Sequence, residues 1–164
     1  MKIPYTICFI MKEDKTLMLY RNKKPNQHKW NGVGGKIESG ENIFSSIKRE
    51  IMEETGLLAL ELDFSGIVTW NEESGMYVFI CRKFEGEVLE GPEGKLEWKS
   101  TDWVITNNKV VSNIKYFLPQ MLKQDQPIKE HAFYYNGCGE IVDYQINEMI
   151  PSIFDEVTTT TKKR

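Results

Sequence analysis

Residues 34–57 read GGKIESGENIFSSIKREIMEETGL, and they place Glu50, Glu53 and Glu54 within about one helical turn. Like charges three and four residues apart destabilise a helix by roughly 0.2–0.5 kcal/mol per pair. The segment nevertheless predicts a helix over 42–55. Asn42 is a plausible N-cap, and Phe44, Ile47, Ile51 and Leu58 recur at helical spacing as a buried face. Gly56 is a natural C-terminal stop. Arg49 stands four before Glu53 and can hold it by an i,i+4 pair, and Glu41 falls just ahead of the helix. A run of this kind often does no more than face water. Convergence of four carboxylates on one spot points instead to a hard divalent cation, Mg²⁺ or Mn²⁺, because the oxygen donors include no soft ligand.

Upstream, residues 3–11 are rich in β-formers, KEDK reads as a turn, and 16–21 alternates as a second strand. NKKPNQHK (22–29) is a polar loop. WNGVGGK (30–36) is too glycine-rich for a strand centre, and predicts a strand end where backbone approaches something closely. Downstream come LELDFSGIVTW and MYVFICRKF about the turn NEESG, then the acidic loop EGEVLEGPEGK and another short strand, LEWKSTDWVI. NIKYFLPQML (113–122) reads as a helix despite Pro119. HAFYYNGCGEIVDYQI reads as a closing hairpin turning at Asn136–Gly139. Strands mixed with two separate helices imply an α+β fold, an α/β/α sandwich. Residues 1–150 form one domain in this account, and 151–164 a flexible tail.

The 164 residues carry a net charge of −3, which disfavours wrapping long duplex nucleic acid. The apolar start is short, contains Pro4 and Thr6, and lacks a small-residue cleavage site, so it reads as a strand. No apolar run is long enough to span a bilayer. Cys8, Cys81 and Cys138 show no CxxC pattern, which fits a reduced, cytoplasmic setting. His28 and His131 are the only histidines, too few for a multi-histidine metal site within one chain.

The spacing within 35–57 is Gly35, five residues, Glu41, seven residues, Arg49–Glu50–Ile51, one residue, Glu53–Glu54, one residue, Gly56–Leu57. At ordinary residue frequencies, chance agreement is on the order of 10⁻⁹ per start position. This stretch resembles the Nudix box, G-x5-E-x7-R-E-U-x-E-E-x-G-U with U aliphatic, and every fixed position is filled. The element order over about 3–148 is also similar to a Nudix domain. The resemblance implies an α/β/α sandwich with a mixed sheet carrying the box helix. It also implies hydrolysis of a nucleoside diphosphate linked to another group. By the same resemblance, Glu50 and Glu54 are metal ligands, Glu53 is a ligand or base, the Gly34 carbonyl is a further ligand, and Arg49 and Glu41 orient the others.

Phosphoanhydride hydrolysis needs charge neutralisation and a positioned water, with a carboxylate to take the proton. Glu53 and Glu97 are the candidate bases, since similar Nudix enzymes carry a glutamate just before an aromatic residue, as in LEWK. Lys36, Arg21, Lys23 and Lys24 are candidates for phosphate contact.

KWNGVGGK resembles the corresponding segment of nucleotide-sanitising Nudix enzymes of the MutT type, which makes Asn31 a candidate base contact. The oxidised-purine members of the family carry a Trp and two adjacent Asp before their last helix. Val111, Asn113 and Ile114 stand there in this chain. Asn113 can still offer a donor and an acceptor to a base. The expected substrate is therefore a nucleoside triphosphate, 8-oxo-dGTP first, cleaved to monophosphate and pyrophosphate with Mg²⁺ or Mn²⁺. An ADP-sugar, a dinucleoside polyphosphate or an RNA 5′ end is the alternative, and a non-catalytic nucleotide sensor a third. The expected partner is a small nucleotide, with no stable nucleic-acid partner and no membrane, and the chain is expected as a monomer or homodimer.

Overall fold

The computed structural model describes residues 1–149 together with Pro151 and Ile153. The elements run β1 (Tyr5–Lys12), β2 (Lys15–Arg21), β3 (Trp30–Asn31), β4 (Val33–Lys36), α1 (Ile43–Thr55), β5 (Leu58–Trp70), β6 (Ser74–Glu85), β7 (Gly94–Ser100), α2 (Thr101–Thr106), α3 (Ile114–Met121), β8 (Lys129–Tyr135) and β9 (Ile141–Glu148). The strands join in one mixed sheet ordered β3-β2-β1-β6-β5-β8-β9, with β4 on β1 and β7 on β2. The β1–β6 and β5–β8 pairs are parallel and the others antiparallel.

Side chains alternate across a strand, so each central strand feeds two cores. Cys8 and Ile10 on β1, with Tyr77, Phe79 and Cys81 on β6, meet Phe44, Ile47 and Ile51 of α1 on one face. Ile7, Phe9 and Met11, with Val78 and Ile80, meet Val104 of α2 and Ile114, Phe117, Leu118 and Met121 of α3 on the other. The result is the expected α/β/α sandwich.

Asn42 caps α1 by accepting the Ser45 N–H at 2.8 Å, and Gly56 ends it in the left-handed region at φ 77°. Leu57 is the buried residue at that end, 1% exposed, whereas Leu58 begins β5 and is 37% exposed. The expectation for Leu58 is thus corrected: the reversal at Gly56 breaks the helical phase before it. Gly32 splits 30–36 into β3 and β4, the first pairing with β2 and the second with β1. The strand expected across LEWKSTDWVI also stops early, because the Ser100 hydroxyl accepts the Trp103 N–H at 3.1 Å and starts α2. Pro119 lies inside α3. An interior proline costs about 3 kcal/mol. Burial of Ile114, Phe117, Leu118 and Met121, at roughly 1.5–3 kcal/mol each, outweighs it.

The closing hairpin turns through Asn136, whose N–H reaches the Glu140 carbonyl at 2.9 Å and whose carbonyl accepts the Gly139 N–H at 3.0 Å. Cys8 and Cys81, remote in sequence, lie on neighbouring strands as free, hydrogen-bonded thiols. Among the described residues no helix is long and apolar enough to cross a membrane. The expected tail, 151–164, lies outside the described residues except for Pro151 and Ile153, and Ile153 is buried in the α1-side core.

Candidate active site

The site is built where α1 crosses the glycines of β4. The Ile37 N–H reaches the Pro4 carbonyl at 2.8 Å, and Ile7 stands opposite Gly34. Antiparallel pairs alternate between bonded and non-bonded, so Gly34 turns its own N–H and C=O away from β1. A Cβ on Gly34 would lie 2.1 Å from the Thr6 carbonyl oxygen, and one on Gly35 would lie 2.5 Å from Glu50 Oε1. Glycine at 35 is what lets the Glu50 carboxylate lie across the strand.

Of the crowded carboxylates, three converge on Arg49 rather than on one another. Glu41 takes Arg49 in a fork, Nε at 2.6 Å and Nη2 at 3.0 Å. Nη1 donates to Glu50 at 3.0 Å and to Glu53 at 3.1 Å, and Nη2 also reaches the Lys36 carbonyl at 3.2 Å. The expected Arg49–Glu53 pair is present. Arg49 holds the Glu41 carboxyl below its ordinary range. Glu53 points outward, its side chain 58% exposed.

Glu54 is different. It is 5% exposed, and its Oε2 is buried without a hydrogen-bond partner. Burial, then the charges of Glu93 and Glu50, push its carboxyl up to about 9, against a smaller opposing pull from the Gly34 backbone. Burial also raises Glu50, although Arg49 and the hydrogen bond with Glu54 pull it down. Glu50 and Glu54 therefore form a pair that shares a proton when no cation neutralises it.

Glu93 was not singled out by the sequence. It sits just before β7 and ion-pairs with Arg21 at 3.7 Å and Lys23 at 3.8 Å. Its backbone carbonyl accepts the Asn22 N–H at 3.1 Å. Glu97 is placed otherwise: it stands opposite Met18 and is held by Lys99 at 3.0 Å and Lys95 at 3.4 Å. Lys99, first of the two, draws its carboxyl below the usual range. The structure brings Glu93, not Glu97, into electrostatic contact with Glu54. The K-x-E-x-K spacing of β7 was a readable sign that Glu97 belongs to an ion ladder along one strand face.

Residues 1–130 match the NUDIX domain family. The chain belongs to the Nudix family. An uncharacterised Nudix hydrolase of Bacillus subtilis is 30% identical over 87% of this chain and 92% of its own length. A Danio rerio oxidized purine nucleoside triphosphate hydrolase is 26% identical over 88% of this chain and 94% of its own. A MutT protein from Bacillus halodurans superposes with a TM-score of 0.74 at 30% identity, covering 87% of this chain and 95% of that one. The protein is thus a Nudix hydrolase, acting on nucleotide pyrophosphate bonds.

Nudix hydrolases generally use divalent metal ions. Among the described residues no three His, Cys, Asp or Glu side chains come together as a metal cage. Arg49 engages Glu41, Glu50 and Glu53, and Glu54 is hydrogen-bonded to Glu50, so the four carboxylates gather about a guanidinium. What is left fits magnesium well: Glu50, the unpartnered Glu54 Oε2, and a Gly34 carbonyl turned off its sheet neighbour. Mg²⁺ is ordinarily held by one or two carboxylates, with water and substrate phosphates completing its shell.

The other Nudix site candidates divide by location. Arg21 and Lys23 meet at Glu93, so they flank the box. Lys36 is exposed at the end of β4. Asn31, on β3, accepts the Gly32 N–H through Oδ1 at 2.9 Å. Asn113 is buried just before α3, on the opposite side of the sheet from α1. A cleft of about 890 Å³ runs beside residues 36–43 and the N-terminus; Lys36 and Glu41 line it, and Glu50, Glu53 and Glu54 do not.

Proposed function

We propose that the protein hydrolyses a nucleoside triphosphate to the monophosphate and pyrophosphate in a magnesium-dependent reaction, with 8-oxo-dGTP or a related oxidised purine nucleotide as substrate. The observation that carries the chemistry is the buried, unpartnered Glu54 oxygen beside Glu50 at the glycine edge. Support for the substrate comes from similarity, over most of the chain, to oxidized purine nucleoside triphosphate hydrolases of Danio rerio and Mus musculus. The wider sequence KWNGVGGK, with Asn31 within it, agrees with that choice.

Mg²⁺ or Mn²⁺, held by Glu50, Glu54 and the Gly34 carbonyl, would supply Lewis-acid neutralisation of the phosphate oxygens. Arg49 fixes the carboxylates by engaging Glu41, Glu50 and Glu53 at once. Glu53, exposed at the outer edge of that cluster, is the proton acceptor for the attacking water. Glu97 is retained by its two lysines and is the weaker candidate. Arg21, Lys23 and Lys36 supply positive charge for the polyphosphate.

Incubation with Mg²⁺ and a nucleotide panel tests this, with products separated by anion-exchange chromatography. The expected result is 8-oxo-dGMP plus pyrophosphate, at a kcat/KM above that for dGTP. Release of a phosphosugar from an ADP-sugar with triphosphates untouched would reassign the substrate. Binding of a nucleotide without turnover of any would make the chain a sensor.

A further inference from the structure

The net charge of −3 is unevenly spread. Residues 21–29, RNKKPNQHK, hold four Lys or Arg and no acid. Arg21 and Lys23 are engaged by Glu93. Lys24 and Lys29 are exposed and, among the described residues, form no ion pair. The fold brings another lysine to them. The Trp30 N–H reaches the Lys109 carbonyl at 2.9 Å, the Val111 N–H reaches the Trp30 carbonyl at 2.9 Å, and Trp30 forms a parallel bridge with Val110. Lys29 and Lys109, one step back on each segment, therefore stand side by side. Lys29 Nζ donates to the Asn108 carbonyl at 3.3 Å, and Lys109 is exposed. Like charges on paired segments destabilise them, and among the described residues no acid is ion-paired with either lysine.

β7 lies along the same edge, with Lys95 opposite Tyr20 and Lys99 opposite Thr16. Glu97 answers both lysines, and Asp102 is exposed at the start of α2. Aromatic rings are interleaved with these cations. Lys99 Nζ lies 4.6 Å from the ring centres of both Trp30 and Trp103. Tyr20 is 5.0 Å from Trp30 and 6.2 Å from His28, centre to centre. Trp30 is buried, Tyr20 and Trp103 are half-buried, and His28 is exposed. Phosphates suit the lysines and unpaired bases suit the rings. An acidic peptide has nothing to lay on the rings, and a duplex keeps its base faces stacked on one another.

We propose that this edge, made by loop 22–29, β7 and α2, docks a short single strand of nucleic acid, with phosphates on Lys24, Lys29 and Lys109 and bases against His28, Tyr20 and Trp103. None of these residues belongs to the carboxylate cluster of α1, and the inference goes beyond the hydrolysis proposed above.

The test is fluorescence anisotropy with the full chain in EDTA and a 3′-labelled single strand of about ten nucleotides, within the usual range of single-strand site sizes. A 5′-hydroxyl end keeps the phosphoanhydride site out of the measurement. Log K should fall against log salt with a slope of about −2, as three neutralised phosphates require. Replacing both Lys29→Gln and Lys109→Gln should cost about tenfold or more in affinity at low salt and bring the slope toward about −0.7. The melting temperature and triphosphate turnover of that double variant should match wild type. His28→Ala should cost about threefold or more with the ordinary strand and nothing with an abasic strand of equal length. Should the double variant melt lower than wild type, His28→Ala decides. No binding at low salt overturns the inference, as does undiminished binding by a folded double variant. An abasic strand or a polyglutamate of equal charge that binds as tightly as the ordinary strand also overturns it. Triphosphate turnover without strand binding sinks this inference alone, whereas strand binding without turnover sinks the proposed hydrolysis alone.

Discussion

Glu54→Gln is expected to raise the stability of the metal-free protein at pH 8 while cutting turnover by about 10³-fold, the effect of losing several kcal/mol of transition-state stabilisation. The two effects have one origin. The Glu54 carboxyl is pushed up to about 9 by burial and by Glu93 and Glu50, so the fold favours its neutral form. An acid raised from 4.5 in this way contributes stability that is fully present below about 4.5. That contribution is lost as the pH rises through about 9. Wild type without metal should therefore weaken from pH 5 to pH 9. Glutamine keeps the shape, cannot ionise, and removes that dependence. The gain at pH 8 should be about 1–3 kcal/mol, or roughly 3–10 °C in Tm. Added Mg²⁺ should stabilise wild type, more strongly at higher pH because its ligands must be ionised, and should do little for the variant. Thermal scans at pH 5 and pH 8, with and without Mg²⁺, check this. A variant that melts lower than wild type in metal-free buffer at pH 8 would rule out the idea that Glu54 is held against its own charge for function.

Arg49→Gln is expected to destabilise the protein by about 2–3 kcal/mol and to lower turnover strongly. Arg49 is mostly buried and satisfies Glu41 through two bonds, Glu50 and Glu53 through one each, and the Lys36 carbonyl. Removing it leaves three carboxylates to repel one another, closer to a broken buried pair than to a surface contact worth about 0–1 kcal/mol. Arg49→Lys should recover less than half of the loss, since a single ammonium cannot reproduce the planar fork. Urea midpoints at low and high salt measure this. A glutamine variant as stable as wild type in both would show that the cluster is merely solvated.

The box helix was legible because its signals are local. The Asn42 cap, the apolar spacing 44, 47, 51 and the Gly56 stop all act within a few residues, and all were found. The sandwich was legible because strands are mixed with two separate helical stretches, and the nearly continuous burial of β1 and β6 between two cores agrees with it. What escaped depended on partners brought from elsewhere. Ser100 ends β7 by capping α2, a choice between strand and helix that LEWKSTDWVI leaves open until the sheet edge is known. Glu93 was hidden in an acidic loop, and its value comes from the approach of Glu54, Arg21 and Lys23. Glu97 was more conspicuous beside Trp98, and it is ion-paired with Lys95 and Lys99 of its own strand. The repulsion written into the box calls for a cation. Arg49 meets most of it, and the unmet part is concentrated on Glu54.

The central claim is that Glu50 and Glu54, with the Gly34 carbonyl, are built to hold a divalent ion. Anomalous scattering from a crystal soaked in Mn²⁺ with a nonhydrolysable nucleotide tests it most directly. A manganese peak bounded by Glu50 and Glu54 at the Gly34 edge is the predicted result. Bound nucleotide with no peak there, or manganese only beside Glu53 or Glu97, would contradict it.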